Sequence, residues 1–388
     1  MSVILGAFLY IDIATSLRGR IQRGDFTGGK LPSERELLAE FGVQRATVRR
    51  ALKRLENEGL IFRDTTRGTF VVDNLASGQE NRYSADSDPA GIALIIGCAS
   101  DTTAPGDIAR GMAQAVREAG RFLIWFENAA KSGHAEANVP EPEELIACGI
   151  GACALWPDTL ASPGRLRALR QAMPVVLLDR RVAGFESDFV GINDRAAGRM
   201  VTERLLSIGH RRIAFLAVEP HVVTVQSRMQ GWRDGLQSAG ITPLDRWVVT
   251  RPRDFTPADD GTLEALLSAP DAPTALFCTN DTVAAQAIRF LQTSGRRIGE
   301  DMAVTGFGNA FPTLLDALGL TTIAQPWERI GFEAGKILSE RLAAQNSGAS
   351  LAKSDRAPET DSEAFIETEL AVDLIIRRSC GQGIFSSR

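Results

Sequence analysis

The sequence predicts two unequal parts: a small helical head closed by a two-stranded wing, and a larger α/β body in two lobes. Three observations carry that expectation. Residues 31–72, LPSERELLAEFGVQRATVRRALKRLENEGLIFRDTTRGTFVV, pass from helical to strand spacing around Gly59. Residues 74–89, NLASGQENRYSADSDP, are polar with almost no apolar periodicity, as a linker would be. From Gly91 onward, short apolar runs alternate with helical stretches, the pattern of βαβ units and a parallel sheet. The expected boundaries are a head over 1–73, a linker over 74–89 and a body over 90–388.

The head begins with a helix expected over Tyr10 to Asp25, where Ile13, Leu17 and Ile21 follow helical spacing and Gly24 ends the run. A Gly-rich connection leads to Ser33, an N-cap whose partner Glu36, three residues on, completes a capping box. Leu37, Leu38 and Phe41 give that helix its apolar face, and Gly42 supplies the left-handed residue that stops it. The next helix, Arg45 to Asn57, places Val48, Leu52 and Leu55 on one stripe and Arg45, Arg49 and Lys53 on another, with Arg50 beside them. Leu60-Ile61-Phe62 and Thr69 to Val72 then form a hairpin with Arg67 and Gly68 at its tip. A charge run alone is usually a solvated face. A basic helix held by a turn, followed by a Gly-tipped wing, suits the DNA major groove, so double-stranded DNA is the expected partner.

LPSERELLAEFGVQRATVRRALKRLENEGL followed by RGTFV resembles the winged helix-turn-helix of GntR-type bacterial transcription regulators, over about Tyr10 to Val72. The resemblance implies DNA contacts from Arg35, Arg45, Thr47, Arg49 and Gly68. Gln44 stands where that family usually has a Ser cap, and Ala46 where it often has Thr. Gln is the poorer cap, so the departures bear on which operator is read rather than on the fold.

Charge is distributed accordingly. The chain carries −5 overall, yet residues 1–75 hold 12 Lys and Arg against 9 Asp and Glu, a net of +3 that leaves −8 for the remainder. Five cysteines with no CxxC pair, and three scattered histidines, give no metal-binding pattern. Cys98, Cys153 and Cys278 lie in apolar runs, where cysteine is usually a small buried hydrophobe. Met1 to Ile11 is apolar, but no cation precedes it and Asp12 interrupts it, which argues against a signal peptide or a membrane span. A cytoplasmic location without membrane association is therefore expected.

In the body, Gly91 to Gly97 reads as a strand buried on both faces, followed by a helix around Ile108 to Ala119 and strands at Phe122 to Phe126, Ile150 to Trp156 and Pro174 to Leu178. Glu141 to Cys148 is expected to be helical. The pattern then restarts. Helices are expected over Asn193 to Ile208, Arg228 to Gly240, Gly261 to Leu267 and Thr282 to Ser294. They alternate with strands at Arg212 to Leu216, Trp247 to Val249, Ala275 to Cys278 and Ala303 to Gly306. Two consecutive lobes imply a cleft at the carboxyl ends of the strands. Asp179 and Arg180, Arg228, and Asn280 and Asp281 stand at such ends, with Phe255 and Trp327 as aromatic candidates. Carboxylate, amide and guanidinium groups beside aromatic rings suit a sugar, although any one of them could equally be a helix cap or a surface residue. Residues 343–363 are polar and low in complexity, as in an irregular excursion.

PVVLLDRRV, VGINDRAAGRMVTERLLSIGHRRIAFL, PTALFCTNDTVAAQAIRFLQTSG, VTGFGNAF, LTTIAQPWERIGFEAG and TELAVDLIIRRSCG resemble, in that order, the sensor domain of LacI/galactose-repressor-type regulators. The resemblance spans about Pro89 to Gly381. It implies a periplasmic-binding-protein-like fold with three crossovers between lobes, a homodimer, and a small effector in the cleft. It further implies effector contacts from Asp179, Arg228, Asn280, Trp327 and, less directly, Phe255. Where that family has GFD or GYD, this chain has Gly306-Phe307-Gly308, so a carboxylate is missing. Ala99 to Asp107 also lacks the usual aromatic-rich run. A GntR-type head on a LacI-type body is similar to arabinose-repressor-type regulators, and implies a repressor of a carbohydrate uptake or catabolic operon.

The competing expectations are an effector that is not a sugar, and an enzyme body carrying a regulatory head. GxSxG is absent, and no lysine stands in a convincing cofactor context. Gly149 to Ala154 satisfies G-x-G-x-x-A but precedes a strand instead of joining a strand to a helix. Neither an enzyme nor a cofactor is expected.

Overall fold

A computed structural model describes residues 13–21, 25–26, 30–57, 61–64, 68–71, 91–96, 102–127, 140–157, 162–251, 261–346 and 364–381. Contacts divide the chain into two units, Met1–Ser87 and Asp88–Arg388.

In the first unit, α1 (13–21) buries Ile13, Leu17 and Ile21. Helix α2 (Glu34–Phe41) starts with the expected capping box: the Ser33 hydroxyl accepts from the Glu36 N–H, and the Glu36 carboxylate accepts the Ser33 N–H at 2.7 Å. Gly42 closes it at φ 63°. Helix α3 (Arg45–Asn57) turns Val48, Ala51, Leu52 and Leu55 into a core shared with Leu37, Ile61 and Val71. Strands β1 (Ile61–Asp64) and β2 (Gly68–Val71) pair antiparallel, Phe62 opposite Phe70. The expected ends at Tyr10, Gly24, Leu60 and Val72, the turn residue Arg67 and the linker 74–89 lie outside the described residues.

The first lobe of the second unit is built from β3 (Gly91–Ile96), α4 (Ala104–Glu118), β4 (Phe122–Glu127), α5 (Pro142–Ala147), β5 (Ile150–Trp156), α6 (Pro163–Ala172), β6 (Val175–Leu178) and β7 (Asp188–Ile192). Residues 150–154 of the G-x-G-x-x-A match lie within β5 itself, so the motif overlaps the strand it was expected to precede. The chain then crosses to the second lobe: α7 (Asp194–Ser207), β8 (Ile213–Val218), α8 (Val223–Ser238), β9 (Val248–Arg251), α9 (Gly261–Ser268), β10 (Ala275–Cys278), α10 (Asp281–Thr293), β11 (Ala303–Thr305), α11 (Pro312–Leu318) and β12 (Thr322–Ala324). It returns through α12 (Trp327–Asn346) and β13 (Glu367–Leu370), and crosses once more to β14 (Asp373–Ile375). The sheets run β13-β7-β6-β5-β3-β4 and β11-β10-β8-β9, all parallel, with β12 and β14 as a small antiparallel pair.

Three differences from the sequence reading have physical causes. Strand β7 is unexpected because it opens on an acid. Asp188 is 5% exposed, and Arg341 of α12 takes both its oxygens at 3.0 and 2.9 Å. The TELAVDLIIRRSCG segment, which the resemblance implies is one closing strand, is two short strands in different lobes, since the chain crosses at 371–372. Residues 343–346 continue α12 rather than starting the polar excursion.

Candidate functional site

On the head, α3 presents Arg45 and Arg49 with 67% and 56% of their side chains exposed. Both guanidinium Nε atoms lie 3.2 Å from Glu34, the first residue of α2. Partial burial opposes ionisation of Glu34, but the hydrogen bonds and charges of Arg49 and Arg45 hold its carboxyl below the ordinary value. Exposed pairs of this kind are worth about 0–1 kcal/mol, so Glu34 orients the two arginines without consuming them. Arg35 is exposed, Thr47 is half-buried, and Gly68 opens β2 opposite Asp64. Glu34 escaped the sequence reading because it meets the arginines only once α2 crosses α3.

The body carries a different kind of site. Among the described residues, three other than glycine have left-handed backbone: Asp179 at φ 60°, Glu219 at φ 51° and Asn309 at φ 51°. They follow β6, β8 and β11, where open α/β sheets take ligands, and strained backbone clusters at such places. Asp179 is buried; its Oδ1 accepts from Gln325 Nε2 at 2.9 Å, and Arg180 Nε lies 3.7 Å from its Oδ2.

Arg228 was expected to open its helix. Helix α8 starts earlier, at Val223, so Arg228 sits in its second turn. From there its Nε donates to Asp194 Oδ1 at 2.7 Å, its Nη1 donates to the Thr279 carbonyl at 2.8 Å, and its guanidinium lies 3.8 Å from the Phe307 ring centroid. This reach depends on Gly198: a Cβ there would stand 2.5 Å from the Arg228 carbonyl, so only glycine lets α7 and α8 approach so closely. Burial pushes the Asp194 carboxyl up to about 6 against the pull of the Arg228 charge, and Asp179 adds to the rise.

The missing carboxylate at 308 has a structural explanation. Gly308 has φ 119°, and a Cβ there would lie 3.5 Å from Asp281 Oδ2 and 3.7 Å from Gln325 Oε1. Asp281 is itself buried, accepting from Thr322 Oγ1 at 2.5 Å and from the Ala310 N–H at 3.0 Å. Burial raises its pKa, and those hydrogen bonds temper the rise. An acid at 308 would therefore meet both strained backbone and a like charge.

Trp327 opens α12, donates its Nε1 to the Gly308 carbonyl at 3.1 Å, and packs against Trp156 with centroids 5.2 Å apart and planes tilted by 32°. Asn280 caps α10, its Oδ1 accepting the Val283 N–H at 2.9 Å. Phe255 lies outside the described residues. Asp179, Arg228 and Trp327 are thus joined through Asp194, Gln325 and Gly308. Asp194, Gln325 and Trp156 were not sequence candidates. The first two stand on crossovers between lobes, which no strand pattern marks. The lobes also touch directly: the Thr103 N–H and hydroxyl both reach the Ala310 carbonyl, at 3.1 and 2.8 Å.

A separate cavity of about 450 Å³ lies at the opposite end of the first sheet, lined by Arg170, Asp188, Arg341 and Phe365 among others. Its Arg341 and Asp188 already satisfy one another. Among the described residues no group of three His, Cys, Asp or Glu side chains could hold a metal, and no helix is long and apolar enough to cross a membrane.

Residues 9–71 match the gntR family of bacterial regulatory proteins, and residues 202–380 match the periplasmic binding protein-like domain. The arabinose metabolism transcriptional repressor of Halalkalibacterium halodurans is 26% identical over 89% of this chain and 90% of its own length. The ribose operon repressor of Haemophilus influenzae is 29% identical over 45% of this chain and 52% of its own length, so the match spans about half of that relative. The solved complex of transcriptional regulator CelR with cellobiose has a similar fold, with a TM-score of 0.60 and 22% identity over 90% of this chain and 100% of the other. One chain therefore joins a segment matching the gntR family to one matching the periplasmic binding protein-like domain.

Proposed function

We propose that this chain is a DNA-binding transcriptional repressor of a carbohydrate uptake or catabolic operon, controlled by a small sugar-like effector in the inter-lobe cleft. The observation that carries the reading is the union, in one chain, of an outward guanidinium face on α3 and a dry, polar cleft centred on Arg228. The names of the relatives, repressors of arabinose metabolism and of the ribose operon, support it. Arg35, Arg45, Thr47, Arg49 and Gly68 contact operator DNA. Cations neutralise phosphates while α3 reads base edges. Asp179, Arg228, Asn280, Phe255 and Trp327 contact the effector. The head spans 1–73, the linker 74–89 and the body 90–388; the protein acts as a cytoplasmic homodimer, with no catalytic step and no cofactor. Effector binding closes the lobes, alters how the dimer presents its two heads, and weakens operator binding, a coupling typically worth ~1–3 kcal/mol.

A thermal-shift screen against sugars, sugar phosphates, polyols and nucleosides tests this reading. A ligand at about 100 times its dissociation constant stabilises the native state by about 2.7 kcal/mol. The hit should then change operator binding in a mobility-shift assay, and a hit that leaves operator binding unchanged would refute the coupling. The gap at Gly308 supports a second reading, an effector that is not a sugar, which a screen without carbohydrate hits would favour.

A further inference from the structure

The cavity at the opposite end of the first sheet has a chemistry of its own. Its volume of about 450 Å³ falls in the usual range of small-molecule sites. Val175 and Asp188, the first residues of β6 and β7, line it together with Arg170 near the end of α6 and Arg341 near the end of α12. Asp188 is fully engaged. It accepts from Arg341 Nε and Nη2 at 3.0 and 2.9 Å, and from the Ile366 N–H at 2.8 Å. That pair is a neutral, fixed part of the wall.

Arg170 is held in another way. Its guanidinium lies 5.4 Å from the Phe185 ring centroid and 5.3 Å from that of Phe365, and its Nη1 donates to the Glu186 carbonyl. A cation in the last turn of a helix also offsets the negative end of the helix dipole, but that role needs only the charge. Two rings beside a guanidinium restrain its plane, and the carbonyl restrains its rotation. A carboxylate meets such a group through the edge formed by Nε and Nη2. Among the described residues lining the cavity, two arginines stand against one acid, so the site is electropositive. The rest of the wall is largely apolar. Met173 and Val175 are buried, while Phe365 keeps 42% of its surface exposed at the rim, beside the cation.

We propose that this cavity is a second ligand site, separate from the cleft, and that it takes a small organic acid. The carboxylate accepts from Arg170, and the apolar body covers Phe365 and Met173. Inorganic phosphate would satisfy the guanidinium but leave the apolar wall bare. An acid seated there touches α6, α12 and the residues leading into β13, so it braces the closing strand of the first sheet. The inference does not depend on what the cleft binds.

Calorimetric titration of the full chain with benzoate, phenylacetate and isovalerate, with benzamide and inorganic phosphate as controls, tests the proposal. At least one of the three acids should bind saturably, and both controls should bind at least about tenfold more weakly. Arg170→Gln should weaken that acid at least about tenfold. Arg170→Lys keeps the charge without the fork and should recover part of the loss. Phe365→Ala should weaken binding about two- to fivefold. Arg170 and Phe365 are both exposed, so these variants should unfold at the parent's midpoint. A panel in which no acid binds overturns the inference. Benzamide binding as tightly as benzoate overturns the charge argument on which it stands, and phosphate binding as tightly as the best acid overturns the ligand class. An acid whose affinity Arg170→Gln leaves unchanged is bound elsewhere and overturns the site.

Discussion

Helix α3 and the cleft use the same side chain in opposite ways. Arg49 on α3 keeps 56% of its side chain in water and leans on an acid that is itself a quarter exposed. Arg228 keeps 8% and is fixed by a carboxylate, a carbonyl and an aromatic face. In water a charge pair is weak and exchangeable, which suits a surface that must trade counterions for phosphates at many sites. In the cleft the same pairing is dry and directional, which suits a site that must hold one small molecule in one pose. Solvent access sets what each arginine can do.

The largest test of this contrast is Arg228→Ala. Removing one partner of a buried pair leaves Asp194 uncompensated and should cost about 3–5 kcal/mol in denaturant unfolding, together with all response to effector. Next is Arg49→Ala, which should lose ~1–3 kcal/mol of operator affinity while the unfolding midpoint of the body stays where it was. Raising salt should sharpen the same distinction: operator binding should fall steeply on a log–log plot, whereas effector binding by calorimetry should barely move.

Proton linkage offers a subtler test within the buried lobe. Burial pushes Asp194 up from 3.8 to about 6, so the folded state holds the extra proton and stability falls as pH rises from about 4 to about 6. Burial pushes His210 down from 6.5 to about 4, opposed by a hydrogen bond that the ring donates to the Cys380 backbone, so stability is lost as pH falls through that window. The two slopes oppose. Asp194→Asn should leave the His210 slope uncovered, and urea midpoints measured from pH 4 to 6.5 should then rise with pH more steeply than in the parent. The smallest effect belongs to Glu34→Gln. Freeing Arg45 and Arg49 should tighten DNA binding by only ~0.2–1 kcal/mol in a fluorescence titration.

The head was largely legible because its rules are local. Ser33 with Glu36, Gly42, and the stripe of Val48, Leu52 and Leu55 each declare themselves within one or two turns of chain. The order of elements in the body was legible for the same reason, since β3, β5, β8 and β10 are unbroken apolar runs. Strand β7 was not, because an acid satisfied by an arginine 153 residues away looks like a loop until the partner is known. The cleft was half-legible. Asp179 and Arg228 stand just past strands or near helix starts, but Asp194, Gln325 and the role of Gly308 depend on crossovers and on a carboxylate elsewhere in the fold.

The three crossings between lobes also govern how this protein can be made. The first sheet is drawn from residues 91–192 and from 367–370, with most of the second lobe translated in between. As the chain leaves the ribosome, β7 waits as an open sheet edge until the last strands emerge, and α12 arrives only shortly before them. Neither lobe can be cut out as one continuous piece. A nascent chain arrested before residue 364 would hold a sheet with an unprotected border, so the closing strands act as the lock on the first lobe as well as the tail of the second.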